Sequence, residues 1–243
     1  IFLVLMETNI KNDYLRSEIL NLFLMNFLAH IYLSGNNQRV QIGNFMGDGI
    51  RGKDYTHFHP DIQLGVLLHR SIDTFTDFHP VFRQSKHRLV PKFNHFSGII
   101  IDMFYDHFLA KEWELYHHES LQNFTQRFYQ NLEVHKNELN IKTRDLLPYL
   151  TKQNWLERYA QLTDLQQILK QMDHRFSFKS NMYESVEDLY EHYDLFKQEF
   201  HLFFKDLICG SIINFAISSS KSNNASLAAS SKSLILYATC IAA

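Results

Sequence analysis

Residues 65–80 read GVLLHRSIDTFTDFHP, and their reading decides the fold. His69, Asp73 and Asp77 recur every four residues, which in an α-helix stacks them on one face. Val66, Leu67, Leu68, Ile72 and Phe75 run between them and suit a buried flank. Pro60 fits the first turn of such a helix and His79–Pro80 ends it, so the expected helix spans Asp61 to Asp77. An imidazole and two carboxylates in line on a rigid element offer hard metal ligands. A polar stripe facing water has the same spacing, so this stretch alone leaves both readings open.

On the N-terminal side, Asn26 to Leu33 fits a short buried helix carrying His30, and Gly35, Asn36 and Asn37 make a turn. QIGNFMGDGIRGKD follows at 41–54. It lacks the GK[ST] ending of a Walker motif. Its small residues suit close approach to a neighbouring helix, or leave Asp48 open to a ligand. On the C-terminal side, residues 78–101 hold Arg83, Lys86, Arg88 and Lys92 and no acid. That is a local basic face or a solvated helix surface, and Pro91 is expected to break it in two. Ser97 to Ala110 is nearly all apolar, yet Asp102 and Asp106 sit one turn apart and His107 follows. Buried carboxylates need partners, and the helix at 61–77 offers matching ones.

The wider chain supports an all-α architecture. Eight glycines and four prolines in 243 residues leave room for long helices, and no alternating strand pattern is seen. With 45% hydrophobic and 14% aromatic residues the chain can build a sizeable core. A net charge of −2 argues against a polyanion binder, so no nucleic-acid partner is expected and any electrostatic recognition is local. The two cysteines, Cys209 and Cys240, lie near the C-terminus, so neither a disulfide framework nor a thiolate metal site is expected, which fits a reducing, cytoplasmic compartment. The opening IFLVLM is too short to span a membrane and makes a poor signal peptide. Asn21, Asn26 and His30 interrupt the apolar run at 20–33, so no transmembrane span is expected.

Amphipathic helix is expected within 111–139, at Arg144–Leu150 and Asn154–Lys170 with Pro148 as a break, and over Tyr183–Leu207, whose aromatic stripe suits core packing. Residues 218–233 are mostly Ser, Ala, Asn and Lys, too polar for a core. The domain reading is therefore one compact domain at 25–207. Residues 1–24 are read as an upstream extension before a natural start at Met25, and 208–243 as an appended tail.

NFLAH at 26–30, GNFMGDGIRG at 43–52, HRSIDTFTD at 69–77 and DMFYDHFLA at 102–110, in this order and spacing, resemble the bacterial acyl carrier protein phosphodiesterase family. NWLERY at 154–159 and the Tyr190–Tyr193 region are also similar to it. The resemblance covers 25–207. It implies a helical phosphohydrolase distantly like the HD-domain enzymes, acting on holo acyl carrier protein to remove 4′-phosphopantetheine with manganese or another divalent cation. The His-Asp doublet of that superfamily is missing. The nearest doublet is reversed, Asp106–His107, so its ligand scheme does not transfer residue by residue.

A divalent cation suits the chemistry of an anionic phosphodiester, and oxygen and imidazole ligands suit Mn2+, or Mg2+, Fe2+ or Co2+. The expected ligands are His69, Asp73 and Asp106, with Asp48 as ligand or general base. His30 and His107 are further candidates, as ligand or as acid to the leaving serine oxygen. Arg70 is expected to hold a phosphate oxygen. Arg51 and the face of Arg83, Lys86, Arg88 and Lys92 are expected to receive the acidic carrier protein. A phosphohydrolase of a nucleotide or other small phosphodiester is the alternative, and a non-catalytic helical binding module is the second.

Overall fold

The computed structural model describes residues 27–173 and 180–220; Asn26, the residues before it and the 221–243 segment, including Cys240, fall outside them. Among the described residues there are eleven α-helices and short 3-10 turns, with no β-strand. The architecture is all-α.

The centre is a crossing of two helices, α2 (Gln38–Met46) and α3 (Pro60–Phe78). The helix expected over 61–77 starts one residue earlier because Pro60 takes N1 and the His59 ring accepts the Asp61 N–H. Ile62, Leu64, Val66, Leu68 and Ile72 are completely buried along α3, each contributing about 1.5–3 kcal/mol of transfer free energy. Two glycines set how close the helices come. A Cβ on Gly43 would stand 2.1 Å from the Ile62 carbonyl oxygen, and one on Gly65 would stand 2.2 Å from that of Val40. Only bare backbone permits this approach. It brings the end of α2, and the 3-10 turn Gly47–Gly49 that follows, against the middle of α3.

Around this pair stand α1 (Phe27–Leu33), α4 (Pro80–Phe93), α5 (Ser97–Lys111), α6 (Leu121–Val134) and α11 (Tyr193–Ser220). The aromatic stripe does pack the core: Phe196, Phe200, Phe203 and Phe204 are buried, with Phe196 against Phe104 and Phe203 against Tyr105 and Phe82. The remaining helices, α7 (Ile141–Gln153), α8 (Trp155–Arg158), α9 (Leu162–Asp173) and α10 (Ser185–Glu191), complete the described residues.

Several boundaries differ from expectation. Pro91 does not divide its helix; it lies in the last turn of α4, with only Lys92 and Phe93 after it. Pro148 likewise sits inside α7. The helix expected from Tyr183 to Leu207 is interrupted at His192, where the backbone leaves helical geometry (φ −119°, ψ 28°) between α10 and α11. The end expected at Leu207 is also passed: α11 runs on to Ser220, Ile208 is buried, and a Cβ on Gly210 would meet the Phe75 ring at 2.7 Å. Residues 208–210 therefore belong to the packed body.

Candidate active site

The Gly43–Gly65 crossing puts four side chains from three segments within reach of one another. His30 of α1 and His69 of α3 lie with ring centroids 4.3 Å apart. Asp73, one turn beyond His69, bridges them: its Oδ1 is 3.3 Å from His30 Nε2 and its Oδ2 is 3.2 Å from His69 Nε2. Asp48 Oδ1 approaches His69 Nε2 at 3.1 Å from the opposite side. Gly47 makes this possible, since a Cβ there would lie 2.2 Å from His69 Cγ. One ligand atom each from His30, His69 and Asp73 fit within 4.8 Å of one another.

The hydrogen bonds behind His30 orient it. Asn44, completely buried, gives its Nδ2 hydrogens to the His30 carbonyl at 2.8 Å and to Ser34 Oγ at 2.9 Å. Ser34 Oγ donates to the same carbonyl at 2.8 Å, so its oxygen is free to accept. The Asn44 amide is thereby fixed with Oδ1 toward the His30 ring, 2.7 Å from Nδ1, and Nδ1 must carry a hydrogen. Nε2 then faces Asp73. It is buried, 3.3 Å from Asp73 Oδ1, and makes no hydrogen bond. A lone pair aimed at a carboxylate is repulsive unless a proton or a cation lies between them. Without a cation, a proton is favoured: burial works against a charge on His30, but Asp73 and then Asp48 outweigh it and raise its pKa to about 9. Burial pushes Asp73 up, and His30 more than offsets this, leaving it below the ordinary carboxylate range. Asp48 Oδ2 is also buried without a hydrogen-bond partner. An oriented imidazole, a second imidazole, a bridging carboxylate and an unsatisfied carboxylate oxygen together fit a divalent cation.

The other expected site residues lie elsewhere. Asp106 is not at the cluster. It is fully buried, and its two oxygens accept the Leu28 and Ala29 backbone N–H groups at 2.9 and 3.0 Å. It therefore caps the first turn of α1 and holds the helix that carries His30. Burial raises its pKa to about 7, with those two amides pulling the other way. One turn earlier on α5, buried Asp102 lies within range of the cluster's charges. Burial, and next the charge of Asp73, raise its pKa well above the usual range, while His30 lowers it. His107 hydrogen-bonds the Tyr159 carbonyl through Nδ1 at 2.8 Å and the Tyr193 hydroxyl through Nε2 at 3.0 Å, a structural tie between α5 and its neighbours. Arg70 donates to the Ile50 carbonyl at 3.0 Å and lies over the Tyr55 ring, so it braces the loop after Asp48.

The acid-free segment is not a uniform basic face, because its acids come from distant helices. Arg88 forms a two-pronged pair with buried Glu199 at 2.7 and 2.8 Å, and Lys92 pairs with Asp188 at 2.6 Å. Arg51 and Arg83 are exposed and Lys86 is half-buried. The sequence reading missed Asn44; Asp106, expected as a ligand, has both oxygens on the Leu28 and Ala29 amides. Asn44 precedes Asp48 by four residues, which is the signal that could have found it.

No helix among the described residues is long and apolar enough to cross a membrane. No solved structure matches the chain. Acyl carrier protein phosphodiesterase of Photorhabdus laumondii subsp. laumondii is 33% identical over 181 residues, covering 74% of this chain and 91% of that protein. The proteins of that name from Yersinia enterocolitica and Pectobacterium atrosepticum are 29% and 30% identical over 181 residues, each covering 74% of this chain and 94% of the relative. The family description acyl carrier protein phosphodiesterase matches residues 25–207, a span holding every residue of the cluster, and the chain belongs to that family.

Proposed function

We propose that the protein is a hydrolase that cleaves the phosphodiester joining 4′-phosphopantetheine to the serine of holo acyl carrier protein, releasing apo protein and 4′-phosphopantetheine in the cytoplasm. The observation that carries this reading is the His30–His69–Asp73 cluster, whose ligand atoms lie within 4.8 Å, in a chain of this family. His30 Nε2, His69 Nε2 and Asp73 would hold a divalent cation, Mn2+ first among the ions that suit such donors, with Asp102 close by. The chemistry such a cation supplies is charge neutralisation of the phosphodiester and acidification of water.

The chain's own residues do the rest. Asn44 keeps the His30 lone pair directed inward. Asp48, with one oxygen on His69 and the other without a partner, is placed to take a proton from the attacking water. Asp106 holds α1 in register. Arg51, Arg83 and Lys86 remain for the acidic carrier protein.

The test is mass spectrometry of holo acyl carrier protein incubated with the protein and Mn2+. Loss of the phosphopantetheine mass is expected, and Asp73→Asn and Asp48→Ala should each abolish it. A carrier that keeps its full mass refutes the reading.

A further inference from the structure

We propose that a cavity walled by the turn after Asp48 seats the pantetheine arm of the substrate; this rests on the phosphodiesterase reading above. The cavity has a volume of about 620 Å³, within the range of small-molecule sites. Gly49 and Ile50, which follow Asp48 directly, line it. Across from them stand Phe58 and His59 before α3, and Leu139 to Ile141 at the start of α7.

Its position is tied to the reaction centre by covalent and hydrogen-bonded links. Asp48 touches His69 at 3.1 Å, and the next residue already belongs to the cavity wall. Arg70, the neighbour of His69, holds the Ile50 carbonyl at 3.0 Å and stacks on Tyr55. A substrate bound at the cluster would meet the cavity by way of the Asp48–Ile50 turn, whose Gly49 and Ile50 line it.

The lining selects what enters. Ile50, Phe58, Leu139 and Ile141 are apolar. Ile141 is 74% exposed, an aliphatic side chain with no cover of its own. Among the polar groups, Asn140 Nδ2 is a buried donor with no partner. Glu138 is already engaged by Arg39 at 2.9 Å and by His135 at 2.7 Å. Lys142 is the cavity's sole lysine or arginine, Asp54 opposes its sign, and His57 and His59 add two imidazoles able to hydrogen-bond an amide. The lining suits a slender neutral chain that alternates methyl groups with amides. Pantetheine has that chemistry: a gem-dimethyl carbinol followed by two amides. A folded carrier protein is too large to enter, so its surface is left to the exterior basic residues.

The experiment titrates reduced pantetheine, without phosphate, into the isotope-labelled full chain and follows the amide signals. Ile50, Phe58 and Ile141 should shift in the wild type. Asn137→Trp, which places an indole from an exposed turn into the lining, should raise the Kd tenfold or more. Should that variant lose the wild-type melting curve, Ile141→Asp, on an exposed position, replaces it with the same expectation. No pantetheine binding, shifts confined to other regions, or equal affinity in a folded variant would overturn the proposal. Holo acyl carrier protein is assayed in parallel by mass. Release of phosphopantetheine without pantetheine in the cavity removes this inference and leaves the function standing; pantetheine in the cavity with the carrier left intact refutes the phosphodiesterase reading and, with it, the cavity's role in seating the substrate.

Discussion

Asn44→Ala isolates the orientation of His30 from the supply of ligands. The substitution touches no proposed ligand atom. It removes the acceptor 2.7 Å from His30 Nδ1 and the donors to the His30 carbonyl and Ser34 Oγ. The carbonyl keeps Ser34 as a donor at 2.8 Å, so the principal orphan is the buried Nδ1–H. Leaving one such group unpaired costs about 1–3 kcal/mol of stability. Loss of the group that orients a ligating histidine typically costs about 10–100-fold in metal affinity, equivalent to roughly 1.4–2.7 kcal/mol. The assay is Mn2+ titration followed by calorimetry, at a temperature where circular dichroism shows the variant folded. Nitrogen NMR of His30 in the metal-free protein, at a pH above its value of about 9 where the ring is neutral, reads the tautomer: the wild type should keep hydrogen on Nδ1, and the variant should show a mixture. A purely structural Asn44 would lower the melting temperature and leave both readouts of the folded protein unchanged. A wild-type Mn2+ affinity and an unmixed tautomer in Asn44→Ala would refute the reasoning.

Other consequences follow from the same geometry. The His30 pKa, raised to about 9, stabilises the metal-free protein below its unfolded value near 6.5, and this stabilisation is lost as pH climbs through 9. Denaturant melts in chelator should therefore weaken by a few kcal/mol between pH 6.5 and 9.5, and His30→Gln should flatten that part of the profile. On α5 the two carboxylates should separate by assay. Asp106→Ala, which strands two buried amides, should cost about 2–5 kcal/mol in a denaturant melt, whereas Asp102→Asn should lower Mn2+ affinity in a protein that stays folded; the opposite pattern would reverse the assignment. For the carrier protein, Arg83→Glu with Lys86→Glu should cut kcat/KM on holo acyl carrier protein about tenfold, an effect that fades as salt rises. Arg88→Glu should instead destabilise the fold, because it places a second acid against buried Glu199; normal stability would remove that pair from the account.

The helical class and the central element were legible because they depend on local chemistry. Periodicity, Pro60 and His79–Pro80 locate α3 to within a residue at each end. Long-range effects were not legible. Pro91 reads as a break, yet a proline in the last turn interrupts little. Conversely, the aromatic run from Tyr183 reads as one helix, but the chain turns at His192 to bring α10 beside its neighbours. Salt-bridge partners show the same limit. Residues 78–101 contain no acid, so the segment alone reads as basic. Glu199 and Asp188 reach Arg88 and Lys92 from roughly a hundred positions away and cancel half of that charge.

The two carboxylates of α5 show why the site was only partly readable. Asp102 and Asp106 are one turn apart, carry the same charge, and are both buried. Their spacing says that they share a face, and nothing local says which one meets the cluster and which one meets backbone. The choice is made by where α1 ends: its first-turn amides at Leu28 and Ala29 need an acceptor, and Asp106 stands level with them. With that carboxylate engaged by two amides, Asp102 is the α5 carboxylate whose charge state Asp73 and His30 bias most directly. The helix cap and the site are thus one arrangement. Asp106 sets the height of α1, α1 sets the height of His30, and the Gly43–Gly65 crossing brings Asn44 to lock the ring. A residue engaged by backbone amides then helps set the geometry of those proposed to bind the ion. A motif containing both carboxylates cannot tell the two roles apart without the packing of three helices.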